Sequence, residues 1–394
     1  MRSYEPRGED EAAEIVRDAA GRAERLRLIG GDTKAAIGRP PHDEATLSAR
    51  GLSGITLYEP AEMVVGARAG TPLAEVRDLL AGRGQMLPFE PVDHRALLGS
   101  SGEPTIGAVA AINNSGPRRI NAGAARDSLI GVRFVNGRGE VIKSGGRVMK
   151  NVTGLDLVKL MAGSWGTLGF LTEVIFKVLP VQERVLTLVL EGLDDARAVE
   201  ALCAALGSPF ELTGAAHLPA GIADARALTL MRIEGFSASL DYRAGEIRRL
   251  LKRFGPVTLV EGEAAGTLWT AVRDASFFAG SGEAVWRLST APTHGPAVAA
   301  AVGRNVSARW FYDWGGGLIW VATDVGEDAG ASAIRAVLRP IGGHATLLRA
   351  PEPVRAVVPV FEPMAEPLMR VSQGLKTAHD PAGIFNPGRM YAGI

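Results

Sequence analysis

The sequence predicts an α+β chain built from two differently organised regions. Strands and helices alternate with glycine loops between them over the first 180 residues. Beyond Pro180 the texture changes to a cleaner βαββαβ order, the ferredoxin-like plan. Glycine is also in excess, at 49 of 394 residues, about 12% against an average near 7%.

Taken in order, residues 9–23 place Ala12, Ile15, Val16 and Ala19 at amphipathic helical spacing. A short apolar strand over 26–29 runs into Gly30-Gly31-Asp32-Thr33-Lys34, and 63–67 reads as another strand. Thr71-Pro72 opens a helix that ends near Gly82, with Thr as cap and Pro at the first helical position. Apolar runs at 130–135 and 140–142 flank Asn136-Gly137, the strongest short hairpin signal, and 169–179 is an apolar strand closed by Pro180. After it come strands at 184–190, 212–218, 227–233 and 257–260, with helices at 194–206 and 237–254. A looser pass follows, with strands near 284–288, 308–312 and 318–322 and a helix over 328–338. The tail returns to a helix near 366–377 and then a proline- and glycine-rich end. No internal repeat stands out. The expected division is 1–180, an inserted region over 181–350, and a C-terminal segment, 351–394.

Composition excludes several classes. Forty-three basic and 43 acidic side chains cancel, which argues against a polybasic nucleic-acid binder. No apolar run approaches the length of a membrane span, and the first twenty residues are charged throughout, unlike a secretory signal. The single cysteine, Cys203, can make no internal disulfide and hold no iron–sulfur cluster, and its apolar helical stretch predicts a buried structural thiol. The six histidines are never closer than 35 residues, so no local metal-ligand pair exists and no metal site is expected.

There is no G-x-G-x-x-G opening a helix after a strand and no G-x-x-x-x-G-K-[ST], so a nicotinamide-binding unit and a P-loop are both disfavoured. Gly30 and Gly31 could let successive N–H groups form a phosphate nest, with Thr33 adding a hydroxyl and Lys34 a charge. A plain β-turn is the alternative. From Pro104-Thr105-Ile106-Gly107 to Asn113-Asn114-Ser115-Gly116, small residues leave a nearly bare helix face. It suits either a flat ligand or close helix–sheet packing. Arg126-Asp127 is a candidate contact or a capping ion pair.

The informative segment is Met149-Lys150-Asn151-Val152-Thr153-Gly154-Leu155-Asp156-Leu157, followed by Gly163-Ser164-Trp165-Gly166-Thr167-Leu168-Gly169. With the earlier G-G-D-T, P-T-I-G and N-N-S-G segments and the run from Lys376 to Gly388, it resembles the vanillyl-alcohol-oxidase/PCMH superfamily of FAD-dependent oxidoreductases. Within that superfamily the chain is most similar to FAD-binding subunits of glycolate oxidases (glycolate dehydrogenases). Landmarks of that similarity include Gly116-Pro117-Arg118-Arg119, Asp313-Trp314-Gly315-Gly316 and Gly342-Gly343-His344-Ala345-Thr346.

The resemblance implies a PCMH-type FAD-binding domain of two α+β subdomains, a ferredoxin-like cap and a C-terminal return to the FAD domain. It places the pyrophosphate on Gly30, Gly31, Asp32, Thr33 and Lys34. Further cofactor contacts are implied from Pro104, Thr105, Gly107, Asn113, Ser115, Gly116, Arg126, Asp127, Gly163, Ser164, Gly166, Thr167, Glu173 and Ile175. Where several relatives carry a histidine bonded to the flavin this chain has Asp32, so the FAD is expected to be non-covalent. The cap lacks the histidine-rich metal motif of relatives that oxidise D-lactate or D-2-hydroxyglutarate. Trp165 stands where better-known catalytic members have Glu.

Oxidising a 2-hydroxy acid needs a hydride acceptor, a base for the hydroxyl proton and a cation for the carboxylate. The fork of an arginine suits the last role. Arg232 and Arg287, each on a predicted cap strand, are the candidate cations, and His344 is the candidate base. Exposed strand positions or ion pairs are the alternatives for the arginines, and a turn or interface for His344. Three readings follow: a subunit working beside a catalytic flavoprotein subunit and an iron–sulfur subunit, a self-sufficient 2-hydroxy-acid dehydrogenase, or a non-catalytic structural partner. The expected location is cytoplasmic, with any attachment to the inner membrane made peripherally through partner subunits.

Overall fold

The computed structural model describes residues 2–146 and 155–394. Strands Arg2–Tyr4, Ala45–Ser48 and Leu26–Ile29 form a three-stranded parallel sheet with Ala45–Ser48 at its centre. The helix Glu9–Gly21 buries Ala12, Ala13, Val16 and Ala19 along one stripe, and its first turn, Glu9-Asp10-Glu11, complements the helix dipole. A second, five-stranded antiparallel sheet runs Ile55–Glu59, Val64–Arg68, Phe170–Lys177, Leu129–Val135, Val141–Gly145. Both sheets share one core containing Val16, Leu47, Phe89, Phe134, Phe176 and Phe385. The α+β expectation holds, as two subdomains around that core.

Two local expectations are corrected. The helix Leu73–Ala81 has Pro72 at its N-cap. Thr71 instead donates its hydroxyl to the Arg68 carbonyl at 2.7 Å and accepts from Gly54 N–H at 3.0 Å, so its side chain ties the loop before the helix. Asn136-Gly137 does sit in a hairpin, but Val135 pairs with Val141, so the loop spans 136–140. Asn136 Oδ1 holds that longer loop by accepting from the N–H groups of Arg138 and Glu140.

All strands from Arg184 to Arg349 join one eight-stranded sheet. Its first half is strand Arg184–Glu191, helix Asp195–Leu206, strands Gly214–Leu218 and Leu228–Gly235, helix Ser237–Leu251 and strand Val257–Val260. The second half repeats the plan with strand Ala284–Ser289, helix Gly295–Asn305, strands Ala308–Asp313 and Leu318–Thr323, helix Ala331–Leu338 and strand His344–Arg349. The two halves have mirrored strand orders and meet where His217 pairs with Tyr312. This internal repeat contradicts the sequence reading. Each half needs only the inward–outward alternation of its strands, which leaves no shared residue signature. The missed helix opens on Gly295-Pro296, and four of its eleven residues are alanine, so its apolar stripe is faint.

Helices cover one face of this sheet. The other packs on the first part of the chain, where Ile37 and Leu97 join Phe311, Trp320 and Trp269 in a common core. After the helix Glu366–His379, the tail runs beside Leu26–Ile29: Leu26 N–H donates to the Ile384 carbonyl at 2.7 Å and Asn386 N–H to the Leu26 carbonyl at 3.0 Å.

Candidate functional site

The strand Leu26–Ile29 delivers Gly30 through Ala35 to the wall of a cleft with about 710 Å³ of empty space. Small residues, Ala49, Ala69, Gly107, Ala108 and Ala111, line the opposite side, and Trp165, Gly166, Asn386 and Arg389 complete it. Among the described residues, none of the N–H groups of Gly31 through Ala35 has a partner. Two hydroxyls beside them, Thr105 Oγ1 and Ser164 Oγ, are buried without a partner as well.

Among the described residues, two cations at this wall have no carboxylate within ion-pair distance. Lys34 is 6% exposed, and its ammonium donates only to Thr33 Oγ1, at 3.2 Å. Burial pushes its pKa down to about 8, with Asp93 opposing and Arg389 adding to the shift. Arg389 donates to the Lys34 carbonyl at 3.1 Å and lies 5.6 Å over the Trp165 ring. Burial, then Arg27, bring its pKa down to about 10. Free N–H groups and uncompensated cations along one wall match a pyrophosphate, and the bare apolar wall opposite matches a flat ring system. The residues present therefore fit FAD.

The glycines serve close backbone approach as much as the ligand. A Cβ at Gly31 would stand 1.6 Å from the Glu103 carbonyl oxygen, and one at Gly30 would stand 2.2 Å from Thr105 Oγ1. Gly107 likewise has Ala69 O only 2.6 Å from where a Cβ would be, so its packing role is the one the structure shows. Asp32 sits at φ 57° and pairs with Arg27 at 2.7 Å.

Of the expected cofactor contacts, Gly30, Gly31, Asp32, Thr33, Lys34, Thr105, Gly107 and Gly166 line the cleft. The remainder lie outside its lining; the Ser164 hydroxyl has no partner among the described residues, and the others are engaged elsewhere or exposed. Pro104 O accepts from Leu73 N–H at 2.7 Å and Gly163 N–H donates to Ala110 O at 3.3 Å. Asn113 Oδ1 accepts from Arg126 N–H, Ser115 Oγ from Ala125 N–H, and Asp127 from Ala124 N–H. Arg126 and Asp127 are exposed. Thr167 donates to the Ser164 carbonyl. Gly116 packs against Glu90, whose carbonyl oxygen is 2.5 Å from where a Cβ would be. Glu173 and Ile175 pair within the five-stranded sheet, opposite Arg68 and Arg133, and Gly66 and Gly131. The segment Met149 to Gly154 lies outside the described residues. Sequence reasoning missed Asn386 and Arg389 as lining residues, although the Asn386-Pro387-Gly388-Arg389 run was visible. Only the tail's return beside Leu26 puts them there.

The sheet face turned toward the first part of the chain carries the second group of candidates. Asp313, Leu318, Ser289 and His344 form one row across four strands, and Phe311, Trp320, Arg287 and Thr346 form the next. Arg287 makes no hydrogen bond or carboxylate contact among the described residues, and its guanidinium lies 4.9 Å over the Trp314 ring. Burial, then Arg119, lower its pKa to about 10. His344 is held below the usual histidine range by burial and by Arg287. His94, whose Nδ1 has no partner, is pushed down to about 3 by burial, Lys34 and Arg287. It ties this group to the Lys34 end of the cleft. Asp313 is 2% exposed and accepts from Trp314 N–H at 2.7 Å. Burial raises its carboxyl to about 7.

Arg232 is corrected. It is buried in an ion cluster, 2.8 Å from Glu90 and 3.0 Å from Glu234, which also pairs with Arg118. Its guanidinium lies over Trp269, so it has no donor fork free for a substrate. Cys203 is half-buried, and burial raises its thiol pKa. Among the described residues no group of histidine, cysteine and carboxylate side chains could hold a metal.

Comparison with known proteins agrees with this geometry. Residues 3–145 match the model of an FAD binding domain. The chain is 35% identical over 369 residues to "Glycolate oxidase subunit GlcE" of Escherichia coli (strain K12), covering 93% of each. It is 32% identical over 157 residues to "Glycolate oxidase subunit GlcD" of Bacillus subtilis (strain 168), a match spanning 40% of this chain and 32% of that one. The 4-ethylphenol oxidase of Gulosibacter chungangensis shares the fold, with a TM-score of 0.72 at 13% identity over 99% of this chain and 89% of that one. With its cleft suited to FAD, its PCMH-type fold and similarity across nearly its whole length, the chain belongs to the GlcE family of glycolate oxidase subunits.

Proposed function

We propose that this chain is the FAD-binding subunit of a glycolate oxidase (glycolate dehydrogenase) assembly, an oxidoreductase supporting conversion of glycolate, a small 2-hydroxy acid, to glyoxylate. The observation that carries the reading is the wall of partnerless N–H groups with Lys34 and Arg389 beside the cap face bearing Arg287. Bound FAD supplies a hydride acceptor. The cleft residues would hold its pyrophosphate, and the FAD is non-covalent because Asp32 stands where several relatives carry the histidine bonded to the flavin. Arg287, lacking a carboxylate partner, anchors the substrate carboxylate. His344, kept neutral by burial and Arg287, takes the hydroxyl proton. Residues 1–180 form the cofactor half, 181–350 the cap, and 351–394 the returning tail; the single sheet from Arg184 to Arg349 supports these bounds.

The partners in this reading are a catalytic flavoprotein subunit of the GlcD kind and an iron–sulfur subunit, because one cysteine cannot ligate a cluster. No helix among the described residues is long and apolar enough to cross a membrane. The proposed location is cytoplasmic, peripheral to the inner membrane through partners. A second reading, a self-sufficient 2-hydroxy-acid dehydrogenase, is favoured by the unpaired Arg287.

The absorption spectrum of the purified chain, before and after anaerobic glycolate, tests both. Flavin bands near ~370 and ~450 nm are expected from the bound cofactor. Bleaching by glycolate establishes hydride chemistry in this chain alone. Bound flavin that stays oxidised until the partner subunits are added supports the subunit reading. Absence of flavin after FAD is supplied overturns both.

A further inference from the structure

Arg287 is not the only unengaged guanidinium at the seam. The segment Gly116-Pro117-Arg118-Arg119 is fixed to the cap at two points and to Glu90 of the first part of the chain at a third. The Gly116 carbonyl accepts from Trp314 Nε1 at 3.2 Å, Arg118 N–H donates to Glu90 at 2.9 Å, and the Arg118 side chain is paired with Glu234. Arg119, the next residue, is thereby placed with its guanidinium 4.7 Å over the same Trp314 ring that Arg287 covers. Among the described residues it too has no carboxylate within ion-pair distance and no hydrogen-bond acceptor. Burial lowers its pKa, Asp127 opposes, and Arg126 adds to the shift. His344 lies in the row next to that of Arg287 on the same sheet face, and both arginines depress its pKa.

Two partly buried arginines stacked on one tryptophan repel each other across a low-dielectric seam. Arg–aromatic stacking leaves the N–H edges of the guanidinium plane free to donate. Asp313, whose charge acts on Arg287, accepts from Trp314 N–H, and Asp127, whose charge acts on Arg119, accepts from Ala124 N–H; among the described residues neither pairs with either arginine. Positive charge held in place by packing, with donors unused, is the signature of a site that lacks its anion.

We propose that Arg119 is a second substrate-binding residue, which with Arg287 and the Trp314 platform forms a small-carboxylate site shared between the cofactor half and the cap. This rests on the reading of Arg287 as the carboxylate anchor. It adds that the site is complete only when the 116–119 segment is docked on the cap. The chemistry it recognises is a short 2-hydroxy or 2-oxo monocarboxylate, or a dicarboxylate such as oxalate that mimics its charge. A neutral diol of the same size offers nothing to two guanidiniums.

The test is calorimetric titration of the FAD-loaded chain with oxalate at low ionic strength, using ethylene glycol as the neutral control. Wild type is expected to bind oxalate and not ethylene glycol. Arg119→Met should weaken oxalate binding about 10- to 100-fold, the range for losing hydrogen bonds to a charged group. Flavin content and melting temperature should be unchanged, because Arg119 makes no internal ion pair. Arg119→Lys should recover part of the affinity, since a point charge replaces a fork. Wild-type affinity in Arg119→Met, with binding lost in Arg287→Met, would overturn the role of Arg119 and leave the Arg287 anchor standing. No oxalate binding by wild type, or full affinity in both variants, would overturn the anchor together with it.

Discussion

At the scale of single residues, Lys34 carries the sharpest consequence. An ammonium buried without a carboxylate loses its hydration, and its pKa falls to about 8. A bound pyrophosphate returns the missing charge and raises that pKa again. The charged form is therefore the one that binds. FAD affinity should be level below pH 8 and fall as pH rises through the pKa of the free protein, by at most about tenfold per pH unit for one linked proton. Dissociation constants measured from pH 6.5 to 9.5 check this, and Lys34→Met should bind more weakly with no slope above pH 8. The loop was legible in the sequence because a glycine pair and its following Lys are neighbours along the chain. Arg232 shows the converse: nothing near it in sequence revealed that Glu90 would lie 2.8 Å away.

At the scale of elements, the C-terminal segment acts as a latch on the cleft. Lys376, near the end of the helix Glu366–His379, donates to Asp380 at 2.6 Å and to the carbonyls of Thr167 and Phe385, both at 2.8 Å. Asp380 in turn accepts from the N–H groups of Ile384 and Phe385. The next residue, Asn386, accepts from Leu28 N–H and donates to the Trp165 carbonyl, fixing Arg389 against Lys34. Lys376→Met leaves a buried carboxylate unpaired and should cost about 3–5 kcal/mol of stability. A lower melting temperature with parallel loss of flavin is expected. An unchanged flavin-to-protein ratio would separate the tail from cofactor binding. The sequence shows this run as a motif, but its reach to Trp165 exists only once the tail pairs with Leu26–Ile29.

At the scale of the molecule, the two parts of the chain are joined by a buried ion cluster. Glu90 and Arg118 come from the first part and Arg232 and Glu234 from the cap, and the contact of Trp314 with Gly116 joins the same two parts. Glu234→Ala strands the buried Arg118 guanidinium, leaves Arg232 with Glu90 alone, and should destabilise the protein by about 3–5 kcal/mol. The loss should be nearly independent of salt, since buried pairs are weakly screened. Thermal melts at low and high ionic strength measure it. Flavin should remain bound, because Glu234 lies outside the cleft lining. The doubled βαββαβ sheet belongs to this scale as well. Its repeat is one of strand order and alternation, and those are properties of pairing partners.

What the sequence determined by itself is everything specified by residues close together along the chain: the α+β class, most strand and helix positions, the Gly30–Lys34 glycine turn and the lack of cysteines for a cluster. Those features depend on local propensity, turn chemistry and periodicity, which neighbouring residues set. What the tertiary structure decided is which distant side chains share a space. It took Arg232 out of the site by pairing it, brought Asn386 and Arg389 into the cleft, and set Arg119 and Arg287 over one tryptophan. Burial and charge pairing act through space, so a cation's freedom to bind a ligand depends on neighbours that the chain order does not name.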